Sequence, residues 1–261
     1  MESPRPESGL SASGPALPAP SAAEVRRLAP DLIETLRLEQ GRIALWPGHR
    51  ARLLASARAL GYPLDAAALD GWLSAQLRSL PAPQPPAPDP AMDGPATDAA
   101  GMRGPCRLRL LLAADGALTL DCAPLPPTPE PVRIALAADV LETTAVLDAG
   151  DPWLRHKTTH RPAYAAAQRW LSAHPDHFDL IFGNAAGGLC EGSRSTIYVR
   201  DADGAWLTPP LSNGLLPGVR RQALLDQGAV REAQLSLDDL RQAPALRVSN
   251  ALRGWMSAGM T

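Results

Sequence analysis

Residues 155–164 read Arg-His-Lys-Thr-Thr-His-Arg-Pro-Ala-Tyr, and Lys157 within this segment is the only lysine in the 261-residue chain. Lysine and arginine together number 25, so the other 24 basic side chains are arginines. An amine whose pKa falls on burial can attack a carbonyl and later carry a proton, whereas a guanidinium stays protonated and is not nucleophilic. The single lysine therefore indicates a chemical role. The alternative is an arginine-biased composition that has left one ordinary surface lysine.

The composition is typical of a soluble globular protein, with 45% hydrophobic residues, a net charge of -2 and a pI of about 6.2. The arginines are scattered among 27 acidic residues and form no basic run, which argues against nucleic acid as a partner. No apolar run reaches about 18 residues, so no membrane partner is expected. The three cysteines form no CxxC pair, which argues against a disulfide framework and a zinc site. We therefore expect a cytoplasmic protein.

Proline-rich segments divide the chain. Residues 1–22 are rich in Pro, Ser, Ala and Gly and are expected to form a disordered leader. A Pro-rich insert is predicted at 81–104, and five prolines at 124–131 mark a domain boundary. The resulting prediction is a small α+β domain over 23–125, which carries the insert, and a larger second domain over 126–261.

Hydrophobic periodicity predicts a mixed α/β (α+β) fold. The first domain is expected to contain two hairpins and two helices: a hairpin at 31–38 and 42–46, helices at 49–60 and 65–80, and a hairpin at 106–112 and 117–122. The second domain is expected to open with an apolar run at 132–136 and to contain strands at 178–183 and 189–199, helices at 162–173 and 220–227, and a short helix capped by Ser236.

Several segments, in chain order, resemble those of the class IV, fold type IV enzymes that use pyridoxal 5'-phosphate (PLP), especially 4-amino-4-deoxychorismate lyases. The matching segments run from the first predicted strand to the C-terminal end: Glu-Thr-Leu-Arg at 34–37, His-Arg-Ala-Arg-Leu at 49–53, His-Lys-Thr-Thr at 156–159, Glu-Gly at 191–192, Gly-Leu-Leu-Pro-Gly at 214–218 and Asn-Ala-Leu-Arg-Gly-Trp at 250–255. The resemblance implies a two-domain fold type IV enzyme, with the second domain binding PLP. The motif residues are most similar to those of lyase domains that are fused behind an aminodeoxychorismate synthase component.

The resemblance also implies site residues. Lys157 would hold PLP and act as the catalytic base, and Thr35 would be catalytic as the lyases' threonine is. Glu191 would pair with the ring nitrogen, which is the expected acidic partner in PLP chemistry. The phosphate would be bound by the remaining residues of the set: Arg52, Val219, Arg220, Asn250 and Ala251. Independently, Gly218 opens a predicted helix whose free N–H groups suit an anion.

The implied function is elimination of pyruvate from 4-amino-4-deoxychorismate to give 4-aminobenzoate for folate synthesis. An aminotransferase of the same fold, acting on a branched-chain or D-amino acid, is the main alternative. A degenerate PLP-binding module is a third, and bound PLP without turnover would identify it. The family implies a small-molecule substrate and a homodimer, and an aminodeoxychorismate synthase subunit is a possible partner.

The sequence departs from the family pattern at His160, Cys190 and Thr196. These departures bear on the identity of the substrate more than on catalysis, because the lysine, the acid and the phosphate arginine are all present. His156 and His160 have the i, i+4 spacing of metal ligands but lack a third ligand nearby, so no metal site is predicted.

Overall fold

The structure, a computed structural model, describes residues 19–80, 104–141 and 145–261. Most of the predicted leader and nearly all of the predicted insert therefore lie outside the described residues. The end of the predicted leader is helical, because Ser21 caps the first helix through a capping box with Glu24.

The described residues contain seven α-helices and twelve β-strands. The helices, in chain order, are α1 (Ala22–Leu28), α2 (Trp46–Leu60), α3 (Ala66–Ser79), α4 (Ala137–Val140), α5 (Ala165–Ala173), α6 (Val219–Asp226) and α7 (Leu237–Gln242). The strands are β1 (Leu32–Leu38), β2 (Cys106–Leu112), β3 (Leu118–Pro124), β4 (Val132–Leu136), β5 (Val146–Leu147), β6 (Asp179–Asn184), β7 (Leu189–Gly192), β8 (Thr196–Arg200), β9 (Trp206–Thr208), β10 (Arg231–Glu232), β11 (Leu246–Asn250) and β12 (Gly254–Met260).

Strands β1, β2 and β3 form an antiparallel sheet in that order. The predicted strand at 42–46 is wrong, because β1 pairs with β2 and only an isolated bridge joins Glu39 to Arg42. The chain enters α2 at Trp46 instead, where Pro47 in the first turn has no intrahelical hydrogen bond to lose. One face of this sheet packs against α2 and α3 in a core that includes Leu53, Leu69 and Leu110.

The larger sheet has the strand order β10-β9-β8-β11-β12-β4-β6-β5, and β7 pairs with β6. Its central strands are buried on both faces, which is typical of a sheet covered on either side. The predicted continuous strand at 189–199 is interrupted: β7 ends at Gly192 and β8 begins at Thr196. The two sheets lie within 32–124 and 132–260, while the domain boundary itself stays a prediction.

The segment that contains Lys157 connects the two sheets. The backbone N–H of Ile33 donates to the carbonyl of Lys157 at 2.8 Å, and that of Thr159 donates to the carbonyl of Asp31 at 2.9 Å. The backbone N–H of Asp31 donates in turn to Oγ1 of Thr159 at 3.0 Å. The N-terminal end of β1 is therefore fixed against the lysine segment, two residues before Thr35. Among the described helices, none is long and apolar enough to span a membrane.

Candidate active site

The two sheets and α6 enclose a cavity of about 690 Å³. All eight residues that the sequence singled out line it: Thr35, Arg52, Lys157, Glu191, Val219, Arg220, Asn250 and Ala251. They come from six separate parts of the chain, so the fold assembles a set that is dispersed in sequence. The roles assigned to them stay proposals, but their convergence on one cavity is a property of the structure.

Lys157 lies in the cavity wall just before a 3₁₀ turn at Pro162–Tyr164 and α5, and its surface is only partly exposed. Burial, followed by the charges of Arg161 and Arg52, lowers the pKa of its amine from 10.5 to about 7. The charges of Glu34 and Glu191 oppose this shift. Near neutral pH a substantial fraction of the amine is therefore unprotonated, which is the form that attacks a carbonyl or accepts a proton.

Glu191, the penultimate residue of β7, is a buried acid with two hydrogen-bond donors on one oxygen. The hydroxyl of Tyr164 donates to Oε1 at 2.6 Å, and the backbone N–H of Leu216 donates to the same oxygen at 3.1 Å. Burial raises the pKa of Glu191 to about 7, although these hydrogen bonds and the charge of Arg161 act in the opposite direction. A carboxyl group poised in this way responds strongly to a cationic partner, because such a partner would stabilise its ionised form.

Tyr164 is held in place on two sides. Its ring meets that of Phe182 edge to face, with the centroids 5.4 Å apart, and the guanidinium of Arg161 lies 4.4 Å from its centroid. Arg161 in turn donates to the carbonyl of Ser193 at 2.7 Å. Tyr164 therefore presents its hydroxyl to Glu191 from a fixed position.

Asp179 anchors the turn that follows Glu191. It is fully buried and accepts hydrogen bonds from the hydroxyls of Ser193 and Ser195, both at 2.6 Å, and from the backbone N–H of Arg194 at 3.1 Å. A Cβ at Gly192 would lie 2.2 Å from Oδ2 of Asp179, so only glycine fits beside this carboxylate. This turn is the physical reason that the predicted strand breaks into β7 and β8.

Arg52 projects from α2 and pairs with Glu34 of β1. Its Nε and Nη2 atoms donate to the two carboxylate oxygens at 2.9 Å and 2.6 Å, and Nη1 donates to the carbonyl of Pro217 at 3.1 Å. Nδ1 of the buried His49 lies 2.6 Å from Oε2 of Glu34. Burial alone would raise the pKa of Glu34, but the charge and hydrogen bonds of Arg52, with the hydrogen bond to His49, lower it to about 2.

The N-terminal end of α6 faces the same cavity. Gly218 is the N-cap and its lack of a side chain leaves the first N–H groups of the helix, including those of Val219 and Arg220, without a capping acceptor. A Cβ at Gly218 would lie 3.0 Å from Oγ1 of Thr196, so glycine keeps the approach to the helix open. Among the described residues, the buried Nε of Arg220 has no hydrogen-bond partner. Such a set of donors is suited to an anion.

Asn250 lies at the end of β11, and its side chain is engaged within the protein. Oδ1 accepts from the backbone N–H groups of Leu252 and Arg253, at 3.1 Å and 2.8 Å, and Nδ2 donates to the carbonyl of Arg194 at 3.3 Å. A contact of Asn250 with a phosphate would therefore come from its backbone or from the second N–H of Nδ2.

The residues of the cavity fit PLP. A half-buried amine suits the aldehyde, a buried acid suits the pyridinium nitrogen, and the uncapped helix end with an unpartnered arginine Nε suits the phosphate. No group of three His, Cys, Asp or Glu side chains that could hold a metal occurs in the described parts of the chain. His156 instead has Nδ1 3.0 Å from Oγ of Ser56, and His160 packs edge to face on Trp153.

Five functional side chains were not assigned a role from the sequence: Glu34, His49, Arg161, Tyr164 and Asp179. Four of them lie within or next to the quoted motifs, and this proximity could have indicated a place in the site. Asp179 gave no such signal, because an acid at the start of an apolar strand does not reveal that it is buried under a turn 14 residues later.

Comparisons with known proteins identify the family of this chain. Residues 31–259 match the model of amino-transferase class IV, and the chain therefore belongs to this family, whose members depend on PLP. The fold is that of the type IV PLP enzymes, and its cofactor is PLP.

Individual relatives carry both lyase and aminotransferase names. A Schizosaccharomyces pombe protein named "Putative aminodeoxychorismate lyase" is 26% identical over 227 residues, which are 85% of this chain and 86% of that protein. The crystal structure of a "Putative amino-acid aminotransferase" from Mesorhizobium loti is 32% identical, covers 89% of this chain and all of its own, and has a TM-score of 0.72. The 4-amino-4-deoxychorismate lyase structure from Pseudomonas aeruginosa is 21% identical, with a TM-score of 0.63 and coverage of 95% of this chain and 88% of its own.

Proposed function

We propose that this chain is a PLP-dependent lyase that eliminates pyruvate from 4-amino-4-deoxychorismate and releases 4-aminobenzoate, a precursor for folate synthesis. The observation that carries the proposal is the hydrogen-bonded contact between β1 and residues 157–159, which sets an amine of low pKa and a threonine hydroxyl on one cavity. The Schizosaccharomyces pombe relative, similar over most of both chains, supports the lyase reaction.

PLP, when bound, acts as an electron sink for the pair of electrons left when the substrate loses a proton. Lys157 would be its covalent attachment point. Once released by the substrate amine, Lys157 would take the proton from the carbon that bears the amine. Thr35 would orient the substrate or relay a proton to the departing pyruvate, which leaves as its enol. The ring gains the aromaticity of 4-aminobenzoate, so the bond that breaks is the one between the ring carbon and the enol oxygen.

The other site residues would hold the cofactor. Glu191, oriented by Tyr164, would keep the ring nitrogen protonated, because its ionised form is stabilised by that cation. Arg52, Asn250, Ala251 and the α6 residues Val219 and Arg220 would bind the phosphate. Glu34 would keep the Arg52 fork aligned, through its bidentate hydrogen bonds.

A class IV aminotransferase acting on a branched-chain or D-amino acid is the second candidate. It is favoured by the Mesorhizobium loti structure, which is 32% identical over 89% of this chain. The same lysine would take the proton from the amine-bearing carbon, but the amino group would be transferred to the cofactor and the substrate would leave as a keto acid. The two activities therefore differ in their products, and a product assay separates them.

The test uses the purified protein loaded with PLP and supplied with enzymatically generated 4-amino-4-deoxychorismate. Release of 4-aminobenzoate and pyruvate in equal amounts, abolished in Lys157→Ala and strongly lowered in Thr35→Val, is the expected result. A keto acid formed from a branched-chain or D-amino acid, without 4-aminobenzoate, would establish the aminotransferase instead. Bound PLP with turnover of neither substrate class would overturn both.

We extend the proposal to a homodimer located in the cytoplasm. Analytical ultracentrifugation of the holoenzyme tests whether it is a dimer. An aminodeoxychorismate synthase subunit is the proposed source of substrate, and a pull-down between the two purified proteins tests whether they associate.

A further inference from the structure

Seven arginines line the cavity, and they divide by the partners they already have. Three form ion pairs: Arg52 with Glu34, Arg133 with Asp176 and Arg221 with Glu232. Four form no ion pair with any described residue: Arg161, Arg194, Arg220 and Arg253. An arginine cannot lose its charge, so a group of unpaired guanidinium ions around one cavity favours an anionic occupant.

The positions of two of these four arginines account for the absence of an acidic partner. Arg161 donates to the carbonyl of Ser193 and lies over the Tyr164 ring, and Arg220 lies at the open end of α6. Among the described residues, the Arg194 side chain forms no hydrogen bond, and that of Arg253 forms one, to the carbonyl of Pro126. They belong to the turn after β7 and the turn between β11 and β12, and both line the cavity.

Asn250 holds these two turns together. Its Nδ2 donates to the carbonyl of Arg194 at 3.3 Å while its Oδ1 accepts from the backbone N–H of Arg253 at 2.8 Å. One amide thus ties the backbone of both arginines to the same part of the cavity wall. This amide would hold the two arginines in position to bind one ligand group together.

Arg253 is also held in a cationic environment. Its Nη1 donates to the carbonyl of Pro126, which leaves its other N–H groups available. Burial, and then the charges of Arg37 and Arg107, lower the pKa of Arg253. Arg37 and Arg107 are direct partners across β1 and β2, and each has its own acid, Glu39 and Asp121. Arg253 is the member of this group that lacks an acid.

We propose that Arg253 and Arg194 form a carboxylate-binding subsite that selects substrates carrying a second carboxylate. The inference rests on the proposed function, since 4-amino-4-deoxychorismate is an amine with two carboxylates. A branched-chain amino acid has one carboxylate and an apolar side chain, so it would leave this pair of arginines unused. The subsite therefore separates the two candidate substrate classes by charge.

The test measures binding of chorismate to the PLP-loaded protein by calorimetry, with benzoate for comparison. Chorismate keeps both carboxylates but has a hydroxyl in place of the amine, so it binds without reacting through that amine. Arg253→Gln is expected to weaken chorismate binding roughly 10-fold to 100-fold, because a charge-assisted hydrogen bond is lost, and to change benzoate binding far less. Arg194→Gln is expected to act in the same direction with a smaller effect, because Arg194 is more exposed.

Arg133→Gln is the matched control, because Arg133 lines the same cavity but is paired with Asp176 at its surface. Its chorismate affinity should equal that of the wild type. Equal chorismate affinity in Arg253→Gln and wild type would overturn the subsite. Loss of bound PLP in Arg253→Gln would also overturn it, by assigning Arg253 to the cofactor.

The failure of this inference can be told apart from that of the proposed function. If the wild type produces 4-aminobenzoate and Arg253→Gln has an unchanged KM, the subsite is wrong and the lyase stands. If the wild type releases no 4-aminobenzoate but still needs Arg253 to bind chorismate, the subsite stands and the lyase is wrong.

Discussion

The backbone N–H of Ile33 donates to the carbonyl of Lys157 at 2.8 Å. This bond joins the edge of the three-stranded sheet to the segment that carries the lysine, across 124 positions of sequence. Thr35 lies two residues further along the same strand, on the same face as Ile33, and lines the cavity with Lys157. The relative position of the two proposed catalytic groups therefore depends on one short antiparallel contact.

We expect Ile33→Pro to lower kcat because proline has no N–H to donate. In an antiparallel strand the N–H groups alternate in direction, so the N–H that is removed points to Lys157 and not to β2. A displacement of about 1 Å at a catalytic group costs roughly 100-fold in rate, which is the upper end of the expected effect. Ile33→Ala is the control, since it retains the N–H while losing packing. Equal kcat values in the two variants would show that the bond does not position Lys157.

We expect Lys157→Met to raise the free energy of unfolding of the cofactor-free protein. The folded-state pKa of Lys157 is about 7 and its ordinary value is 10.5, so between these values the unfolded chain binds a proton that the folded chain does not. The stability of the wild type therefore rises with pH across this window. The gain in Lys157→Met should be full below pH 7 and disappear as the pH approaches 10.5.

Urea unfolding at several pH values above 8 measures this difference. At those values Glu191, whose pKa is about 7, is largely ionised, so its own titration does not interfere. A stability difference that stays constant up to pH 10.5 would contradict the lowered pKa of Lys157.

We expect Tyr164→Phe to shift the pKa of Glu191 further upward. The Tyr164 hydroxyl donates to Oε1 at 2.6 Å and favours the ionised carboxylate, and its removal leaves only the N–H of Leu216 on that oxygen. If ionised Glu191 is required, the acid limb of kcat/KM should move to higher pH in Tyr164→Phe. Glu191→Gln, which has no ionised form, should lose roughly 100-fold or more in kcat at every pH. If the acid limb of kcat/KM lies at the same pH in Tyr164→Phe and in the wild type, ionisation of Glu191 does not control activity.

We expect Arg52→Gln to weaken PLP binding roughly 10-fold to 100-fold, since a guanidinium that would contact the phosphate is lost. Arg50→Gln is a matched control two residues earlier on α2. Arg50 pairs with Asp70 and does not line the cavity. Equilibrium titration of the cofactor-free proteins with PLP measures both affinities. Equal loss in the two variants would indicate a general effect of charge on α2 and not a phosphate contact.

The sequence predicted the elements whose signals are local. The helix at 65–80 has Asp65 as its N-cap and is observed as α3, and the hairpin of β2 and β3 follows from an Asp-Gly turn. Gly218 was predicted to open a helix, and it is the N-cap of α6. In each case the residue that decides the structure lies within a few positions of it.

The predictions that failed depend on distant partners. The run at 42–46 has the composition of a strand, but β1 takes β2, about 70 residues later, as its partner. Asp179 of β6 likewise accepts hydrogen bonds from the hydroxyls of Ser193 and Ser195, which lie in the turn after Glu191. Pairing of this kind depends on which surfaces meet in the folded chain, and a local pattern does not encode it.

The motifs predicted the cavity set, but not how its members are held. Arg52 was expected to bind the phosphate, whereas its bidentate pairing with Glu34 appears only in the structure. The side chain of Asn250 is engaged in joining two turns, which its place in a motif did not indicate.

Because the chain has a single lysine, chemical labelling of lysine reports on this one site. An amine-acylating compound has a single side-chain target in this chain, and that target lies in the cavity wall. Acylation of the Lys157 amine and its covalent occupation by cofactor exclude each other. Peptide mapping after brief acylation, which distinguishes Lys157 from the N-terminal α-amino group, would therefore give the fraction of molecules in a preparation whose lysine is accessible, without any substrate or assay of turnover.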